Sequence, residues 1–442
     1  MIYKAIVRSH YDYGLIIYGK FLSQPLFRKL EVTQNNGLRI ITGAICSTPI
    51  NSLEIEAGIP PILVRLKYLA EKFCVKVLAN KNYQCRYVNN MIVQSEKFND
   101  LKDICKCIGH SNKWELGTLE IQITKPSICQ KKIMSNEEFL HFVNTEKSEY
   151  RYIYTDGSKT KDATKAAYYD SRRKFGRCFT LDKNASIFTA ESYAIYTALQ
   201  YIMGITNANK FLIITDSLSV LSSLENPKIS YKNNLYITGI RQYINENLDK
   251  LIEFLWVPAH RGITGNEVVD KFMKIQAPQF YSLYPAPAVP FTDYFSLLKI
   301  RMFENWRQEW ENTKMIKGKW YGHIQESIPS KPWFFKLKSS HTRRFIVTIN
   351  RLRFGHGKFP AHLKRLNIIR SDICEHCNNE QATLDHLMLH CPAFNVQRLI
   401  LIDGLLKIYE DEDIPRLLPS LLRNTKTYDE IYKYVISTFQ EI

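Results

Sequence analysis

The feature that most constrains this fold is a run of alternating strands and helices between residues 150 and 276 of a 442-residue chain. It opens with "YRYIYTDG", in which apolar and polar residues alternate, followed by "AAYYDSRRKFGRCFTL", which suits a hairpin that turns near Ser171. The segments "KFLIITDS" and "KLIEFLWV" are continuous apolar strands of the buried type, and helical segments separate them. This order predicts an α/β fold, a mixed sheet flanked by helices.

The rest of the chain is predicted to be mainly helical. Residues 1–145 have helical periodicity, and Asn35-Asn36-Gly37 predicts a break between two helices there. A Pro-containing linker is expected at residues 277–291, and a basic helical region at 292–442. With residues 150–276 as the α/β domain, the chain is expected to contain three folded segments and one linker.

The charge of the chain predicts an acidic partner, because 60 Lys and Arg against 43 Asp and Glu leave a net charge of +17. Nucleic acid is the first expectation and an anionic membrane surface the second. Residues 331–370 contain eleven Lys or Arg and no acidic residue, with aromatic residues among them. The alternative is that this stretch is an ordinary amphipathic helix. The two interpretations are compatible if the apolar stripe packs against the protein while the Lys and Arg side chains face outward. The residues expected to bind nucleic acid are Arg343, Arg344, Arg351, Arg353, Lys358, Lys364 and Arg365.

The sequence shows no signal for export or membrane insertion. No apolar run reaches the roughly 18 residues of a membrane-spanning helix, and the N-terminal "MIYKAIVRSHYDYG" lacks the apolar stretch of a secretory signal. The ten cysteines are therefore expected to be thiols or metal ligands rather than disulfides. We expect an intracellular protein, in the nucleus or the cytoplasm, that is neither secreted nor bound to a membrane.

Four carboxylates in the α/β segment lie at the ends of predicted elements. Asp156 and Asp216 close two strands, Glu191 follows a helix start for which Thr189 is a plausible N-cap, and Asp270 lies in the last helix. Any one of them alone is better explained as a solvated cap. Together, like charges are costly unless a cation neutralises them, and oxygen ligands favour Mg²⁺ or Mn²⁺.

Two such ions, roughly 3.5–4 Å apart, activate a water and stabilise the leaving oxygen of a phosphodiester. The Gly-containing loop of "LWVPAHRGITGNEVVDK" carries His260, which is suited to relay a proton to or from that reaction. The alternative for His260 is a loop histidine that caps backbone groups.

Four motifs in this segment resemble the conserved blocks of type-1 ribonuclease H in order and spacing. They are "YTDGSKT", "TAESYAI", "IITDSLSVL" and "VPAHRGITGNEVVDK", and they are most similar to the form found in polyproteins of non-LTR retrotransposons. The resemblance implies cleavage of the RNA strand of an RNA–DNA hybrid, which leaves a 3′-hydroxyl and a 5′-phosphate. It also implies a role for each matching residue: Asp156, Glu191, Asp216 and Asp270 as metal ligands, His260 as the mobile catalytic histidine, and Asn266 and Glu267 as supporting residues.

Two positions depart from the family pattern. "KDATKAAYYD" lacks the usual glycine at the start of the second strand, and Val269 replaces an expected alanine before Asp270. The first change is expected to distort the strand and the second to crowd the helix, but neither removes a ligand.

The flanking segments resemble the tail of the reverse transcriptase from the same elements. "AIVRSHYDYGLIIYG", "LRIITGAICSTPINSLEIEAGIPPI" and "RLKYLAE" carry this resemblance. A polymerase needs paired aspartates, and the chain contains no adjacent pair of aspartates. The chain is therefore not expected to have polymerase activity by itself. We expect the C-terminal piece of a larger polyprotein or a truncated copy, which associates with a full-length reverse transcriptase.

A Cys-x2-Cys-x8-His-x4-Cys pattern near the C-terminus is typical of a tetrahedral zinc site. Its members are Cys374, Cys377, His386 and Cys391. His390 is a rival ligand whose position next to Cys391 would strain the geometry, and buried cysteines that cluster by chance are the alternative. The same retrotransposon proteins end in a similar "RLR-GH" and CCHC segment, which implies a structural zinc that helps to grip template RNA or DNA.

The sequence therefore predicts a metal-dependent nuclease for RNA–DNA hybrids within a retrotransposon-derived protein. The alternative is a nucleic-acid-binding relic with an idle nuclease fold. A third hypothesis is a DNA resolvase or transposase of the same fold, and a cleavage panel over hybrid, duplex DNA and duplex RNA distinguishes the three.

Overall fold

The computed structural model divides into two compact units. Ala70–Lys299 form the first, here called the sheet unit, and Met1–Leu69 together with Ile300–Ile442 form the second, here called the split unit. The structure describes residues 2–18, 22–79, 108, 121, 123–124, 136–226, 234–247, 249–275, 287–337, 340–410 and 413–439. Most of the predicted linker, residues 277–286, lies outside this range, as does residue 276.

Sixteen α-helices and six strands lie within the described residues. The strands are β1 (Ile123–Thr124), β2 (Arg151–Lys159), β3 (Thr164–Asp170), β4 (Phe175–Leu181), β5 (Lys210–Thr215) and β6 (Leu251–Trp256). The helices are α1 (Arg8–Tyr18), α2 (Gln24–Thr42), α3 (Ile50–Ala57), α4 (Ile62–Leu78), α5 (Asn136–Glu146), α6 (Ile187–Met203), α7 (Leu218–Glu225), α8 (Leu235–Glu246), α9 (Thr264–Ile275), α10 (Phe291–Thr313), α11 (Lys319–Ile324), α12 (Arg343–Phe354), α13 (Pro360–Arg365), α14 (Asn395–Tyr409), α15 (Leu418–Leu421) and α16 (Tyr428–Thr438).

The sheet unit contains a mixed sheet with the strand order β1-β6-β5-β2-β3-β4. β1, β6, β5 and β2 are parallel, and β2, β3 and β4 form an antiparallel meander. The hairpin turn lies at residues 171–174, which confirms the turn predicted near Ser171. β3 pairs regularly with both neighbours, so the missing glycine in "KDATKAAYYD" does not distort it.

Alternate residues of the strands pack on opposite faces of the sheet, as the period of two requires. Ile153 and Ile213 pack with residues of α6, α7 and α8, whereas Tyr154 and Ile214 pack with residues of α5 and α9. Val269 lies fully buried within the second group, so the helix accommodates the larger side chain. The layered α/β architecture with helical flanking regions confirms the predicted fold class.

The split unit is helical and has two apolar clusters. One gathers residues from both of its chain segments, namely Tyr3, Leu38, Leu53, Ile55, Ala57, Ile59, Trp306, Trp310, Tyr321 and Phe354. The other lies within residues 324–435 and includes Ile349, Leu352, Leu387 and Ile431. Residues more than 240 positions apart in sequence therefore share one core, which the separate sequence segments do not reveal.

Helix α2 corrects the predicted break at Asn35-Asn36-Gly37. The helix runs without interruption from Gln24 to Thr42 and ends at Gly43, which has a φ of +71°. An added Cβ at Gly37 would lie 2.9 Å from the Tyr3 ring, so the glycine provides room for an aromatic side chain. Tertiary packing at Gly37 thus overrides its low helix propensity.

A buried ion pair links α3 to α12 in the split unit. Both Glu56 and Arg353 are almost inaccessible, and Arg353 Nε donates to Glu56 Oε1 at 2.8 Å while its Nη2 donates to Oε2 at 2.9 Å. Arg353 Nη1 also donates to Tyr428 Oη at 2.7 Å, and Trp333 Nε1 donates to Glu56 Oε1 at 2.6 Å. Every charge in this network has a partner, which burial of an ion pair requires.

No helix among the described residues is long and apolar enough to cross a lipid bilayer.

Replacement of Arg353 by alanine is expected to lower the free energy of unfolding by about 3–5 kcal/mol, because the change leaves the Glu56 carboxylate buried without its counter-charge. Chemical denaturation followed by circular dichroism measures the effect. Arg423, whose side chain is 49% exposed and paired with Glu326, provides the matched control. Arg423→Ala should cost less than about 1 kcal/mol, and an equally small loss for Arg353→Ala would contradict the structural role.

Candidate functional site

The register between β2 and β5 places two of the predicted carboxylates side by side. Thr155 of β2 pairs with Thr215 of β5 in parallel, and the next residue in each segment is an aspartate, Asp156 or Asp216. Asp156 does not end its strand, as the sequence suggested, because β2 continues to Lys159 through its pairing with β3. Asp156 lies instead at the point where the parallel pairing of β2 with β5 stops.

Helix α6 brings Glu191 to the same edge of the sheet. The helix begins after Ser186, whose side chain accepts a hydrogen bond from Thr189 N, so the N-cap lies three residues before the predicted Thr189. The backbone of α6 passes very close to β2 at Gly157, where an added Cβ would lie 2.7 Å from Glu191 N. Only glycine permits this approach, and sequence reasoning did not single out Gly157.

The three carboxylates form a compact group. One oxygen from each of Asp156, Glu191 and Asp216 lies within 4.8 Å of the others. Asp156 is 9% exposed and Glu191 is 8% exposed. The Glu191 Oε2 atom is buried and has no hydrogen-bond partner among the described residues. Such an atom is costly unless something else, such as a cation, satisfies it.

Burial and mutual repulsion disfavour the charged forms of these carboxylates. Burial and the neighbouring Asp216 raise the pKa of Asp156 to about 7, although Gly157 N donates to Asp156 Oδ1 at 2.7 Å. Burial, followed by Asp156 and Asp216, raises the pKa of Glu191 well above its usual value. Burial also raises the pKa of Asp216, against the effect of Asn266, whose Nδ2 donates to Asp216 Oδ2 at 3.4 Å.

The last two predicted residues lie beside this group rather than within it. Asp270 and His260 line one pocket together with Asp156 and Asn266. The Asp270 carboxylate is 2.7 Å from Lys274 Nζ, one helical turn further along α9, and does not belong to the three-carboxylate group. His260 is exposed and has a φ of +52°. Glu267 also lines the pocket, on its exposed side.

The predicted zinc ligands come together in the split unit. One ligand atom from each of Cys374, Cys377, His386 and Cys391 lies within 4.8 Å of the others, whereas His390 is exposed and outside the group. Cys374 Sγ and Cys391 Sγ are 3.8 Å apart, and Cys377 Sγ and His386 Nε2 are 3.4 Å apart.

Two features prepare this cluster for a metal ion. His386 Nδ1 lies 2.9 Å from Glu380 Oε2, which orients the ring so that Nε2 faces the sulfurs. Backbone N–H groups of Glu380 and Asn379 lower the pKa of the Cys377 thiol to about 7, which favours the thiolate that ligates metals. The supporting role of Glu380 carries no signal in the sequence.

The basic residues predicted to bind nucleic acid have several different environments. Arg353 is 3% exposed and forms an ion pair with Glu56. The prediction that Arg353 binds nucleic acid is therefore wrong, because its guanidinium is buried in the core as the counter-charge of the Glu56 carboxylate. Half-buried Arg351 donates to Gly43 O at 3.0 Å. The remaining residues are exposed, although some also make contacts within the protein, and they are Arg343, Arg344, Lys358, Lys364 and Arg365.

Comparison with known proteins identifies the α/β segment. Residues 148–277 match the model of the RNase H family, which confirms the predicted RNase H domain and its fold. Among solved structures, the crystal structure of RNase H1 from the halophilic archaeon Halobacterium salinarum NRC-1 is similar to the chain. The two are 18% identical, the match covers 27% of this chain and 92% of that one, and the TM-score is 0.22.

The raised pKa of Asp156 predicts that Asp156→Asn stabilises the metal-free protein at pH 8. A carboxyl whose pKa is about 7 when folded and 3.8 when unfolded destabilises the fold as the pH rises from about 4 to 7. The asparagine removes this charge, so the free energy of unfolding should increase by up to about 4 kcal/mol at pH 8 and remain unchanged at pH 4.

Denaturation of the two proteins in chelator at both pH values measures this difference. Asp403→Asn, on the exposed surface of α14, is the matched control and should change neither value by more than about 0.5 kcal/mol. A loss of stability in Asp156→Asn at pH 8 would contradict the predicted repulsion.

Proposed function

We propose that the sheet unit hydrolyses the RNA strand of RNA–DNA hybrids in a reaction that depends on divalent metal ions. The observation that carries this proposal is the group of three carboxylates at the C-terminal edge of the parallel strands, two of them largely buried, within a segment that matches the RNase H family. Sites in α/β sheets form at this edge, where loops present polar groups beside a rigid scaffold.

The residues present fit a hard divalent cation. Three carboxylates crowd together and the buried Glu191 Oε2 has no partner among the described residues, so a cation would remove both the repulsion and the desolvation cost. The donor set contains only oxygen, which favours Mg²⁺ or Mn²⁺ over zinc. Asp156, Glu191, Asp216 and Asp270 would hold two such ions. When bound, these ions supply an activated water and charge stabilisation at the leaving oxygen.

Asp270 joins this set if its carboxylate releases the Lys274 ammonium group and binds a metal ion instead. The Lys274 side chain is 69% exposed, and an ion pair at such a surface contributes little to stability because water screens it. Loss of that pair therefore opposes metal binding only weakly. Lys274 meanwhile keeps Asp270 partly neutralised, beside the buried Asp156.

His260 is suited to move a proton because it is exposed at the mouth of the same pocket. The loop after β6 holds His260 and Gly262 with positive φ angles of 52° and 74°. This conformation projects the imidazole from a turn rather than from a helix or strand. Asn266, which donates to Asp216, has a supporting role in this proposal.

The Cys/His cluster is proposed to bind one structural zinc. Three sulfurs and one imidazole match a closed tetrahedral site, in which no position remains for substrate. Cys374, Cys391 and His386 are buried, and the surrounding apolar cluster includes Leu384, Leu387 and Met388. The metal would therefore stabilise the C-terminal part of the split unit.

The exposed cations of the split unit are proposed to contact phosphates. Arg344, Lys358 and Arg365 lie on or next to α12 and α13 with their side chains exposed. Arg343 already donates to carbonyl groups of Ile40 and Ile41, and Lys364 forms an ion pair with Asp372 at 2.7 Å. Arg365 Nη2 likewise lies 2.8 Å from His362 Nδ1. These residues would bind phosphate in addition to, or in exchange for, such contacts.

The retroelement context remains a proposal that rests on the sequence motifs. In this proposal residues 1–145 derive from the end of a reverse transcriptase, and the chain associates with a full-length reverse transcriptase in the nucleus or the cytoplasm. Copurification of a reverse transcriptase with the expressed chain tests this association.

Asp216→Asn is expected to reduce cleavage of an RNA–DNA hybrid by more than about 100-fold, because loss of a ligand should exceed the 10–100-fold cost of losing a residue that only supports one. A panel of labelled hybrid, duplex DNA and duplex RNA, with Mg²⁺ or Mn²⁺, measures activity and specificity. Asp249→Asn is the matched control, since Asp249 is exposed and precedes β6 at the opposite edge of the sheet.

The wild-type chain and the control should cut the hybrid and spare both duplexes. If the wild-type protein binds the hybrid but leaves it intact with either ion, the chain is an idle nucleic-acid-binding relic. Cleavage of duplex DNA would indicate a resolvase-like activity instead.

Cys377→Ser is expected to lose a zinc ion that the wild-type chain binds at about one per molecule, because the site needs all four ligands. Elemental analysis and thermal unfolding with and without chelator measure this. The exposed Cys46, outside the cluster, provides the control Cys46→Ser, which should keep both its zinc and its melting temperature. A wild-type protein without zinc, whose melting is insensitive to chelator, would refute the site.

A further inference from the structure

The start of helix α10 lies outside the RNase H match but packs within the sheet unit. The match ends at residue 277, whereas the sheet unit continues to Lys299. Val289, Phe291, Tyr294 and Leu298 are buried. This segment, residues 287–298, therefore forms part of the folded module rather than a tail beyond it.

Asp293 connects this segment to the beginning of helix α6. Its Oδ2 atom accepts a hydrogen bond from Ser186 N at 2.8 Å and a second from Thr189 Oγ1 at 2.6 Å. Ser186 is the N-cap of α6 and Thr189 lies in its first turn. A carboxylate at this position satisfies a backbone N–H and interacts favourably with the helix dipole.

A second contact fixes the direction of the Thr189 hydroxyl group. Asn234 Nδ2 donates to Thr189 Oγ1 at 2.8 Å, so the hydroxyl oxygen accepts from Asn234 while its proton points to Asp293. Asn234 Oδ1 in turn caps α8 through Tyr236 N at 2.9 Å. Tyr236 Oη donates to Ala288 O at 2.7 Å, which ties α8 back to the segment before α10.

These contacts bear on the proposed active site through α6. Glu191 lies two residues after Thr189, and its backbone nitrogen faces Gly157 at the closest approach between α6 and β2. Because a helix moves as a rigid element, a shift of its first turn displaces Glu191 relative to Asp156 and Asp216. A displacement of about 1 Å is enough to reduce catalysis strongly.

We propose that Asp293 is a positioning residue that holds the first turn of α6, and with it Glu191, in the geometry needed to bind the catalytic metal ions. The inference rests on the nuclease function proposed above. It extends the functional module to residue 298, about twenty residues beyond the family match.

The test compares Asp293→Ala and Asp293→Asn in the full chain, with Asp403→Ala as a control for loss of an exposed acid. Asparagine keeps one side-chain oxygen that accepts from both Ser186 and Thr189, whereas alanine keeps none. Hydrogen–deuterium exchange of residues 186–192 reports on the first turn of α6, and calorimetric titration with Mn²⁺ reports on metal binding. The Mg²⁺ concentration for half-maximal cleavage and the separate kcat and KM values report on catalysis.

Asp293→Ala should speed exchange in residues 186–192 and weaken Mn²⁺ binding by about tenfold, with kcat lowered and KM for the hybrid unchanged. Asp293→Asn should restore each value to within about threefold of the wild type. A purely structural role would instead lower the melting temperature and leave the metal affinity of the folded protein unchanged.

Unchanged exchange in residues 186–192 of Asp293→Ala, or unchanged Mn²⁺ affinity, overturns the proposal. If the wild-type chain binds Mn²⁺ but does not cut the hybrid, the nuclease function fails while the exchange and titration data still decide the role of Asp293. If the wild-type chain binds no Mn²⁺, both proposals fail, and exchange alone then shows whether Asp293 stabilises α6.

Discussion

The parallel pairing of β2 with β5 is the constraint on which the candidate active site depends. It places Asp156 and Asp216 at one level of the sheet, and α6 brings the buried Glu191 close to both. Like charges held in this way destabilise a protein unless protons or cations neutralise them. The fold therefore contains unfavourable electrostatic repulsion between these carboxylates, which a bound divalent ion would remove. This repulsion links the stability of the fold to the proposed metal-dependent reaction.

The close approach of α6 to β2 makes the position of Glu191 sensitive to both ends of the module. Gly157 sets the distance between the two elements, because any side chain there would collide with the backbone of α6. Asp293 holds the beginning of the same helix from a segment more than 100 residues later in the chain. The candidate site is thus built on rigid elements, and part of their support lies outside the RNase H match.

The basic residues of the split unit lie in two different environments. Arg353 neutralises the buried Glu56 and joins two chain segments that are 297 positions apart. Its neighbours on α12 and α13, such as Arg344 and Arg365, keep exposed side chains. A stretch free of acidic residues therefore contains both core and surface cations, and the counter-charge for the buried Arg353 comes from a distant segment.

The sequence by itself determined the order of strands and helices, the carboxylates and the spacing of the Cys/His cluster, because periodicity and ligand chemistry are local properties. Only the tertiary structure decided which predicted residues meet. It left Asp270 outside the three-carboxylate group, buried Arg353, and continued α2 through Gly37 because the Tyr3 ring packs there. These outcomes depend on partners, burial and three-dimensional packing, which no local pattern encodes.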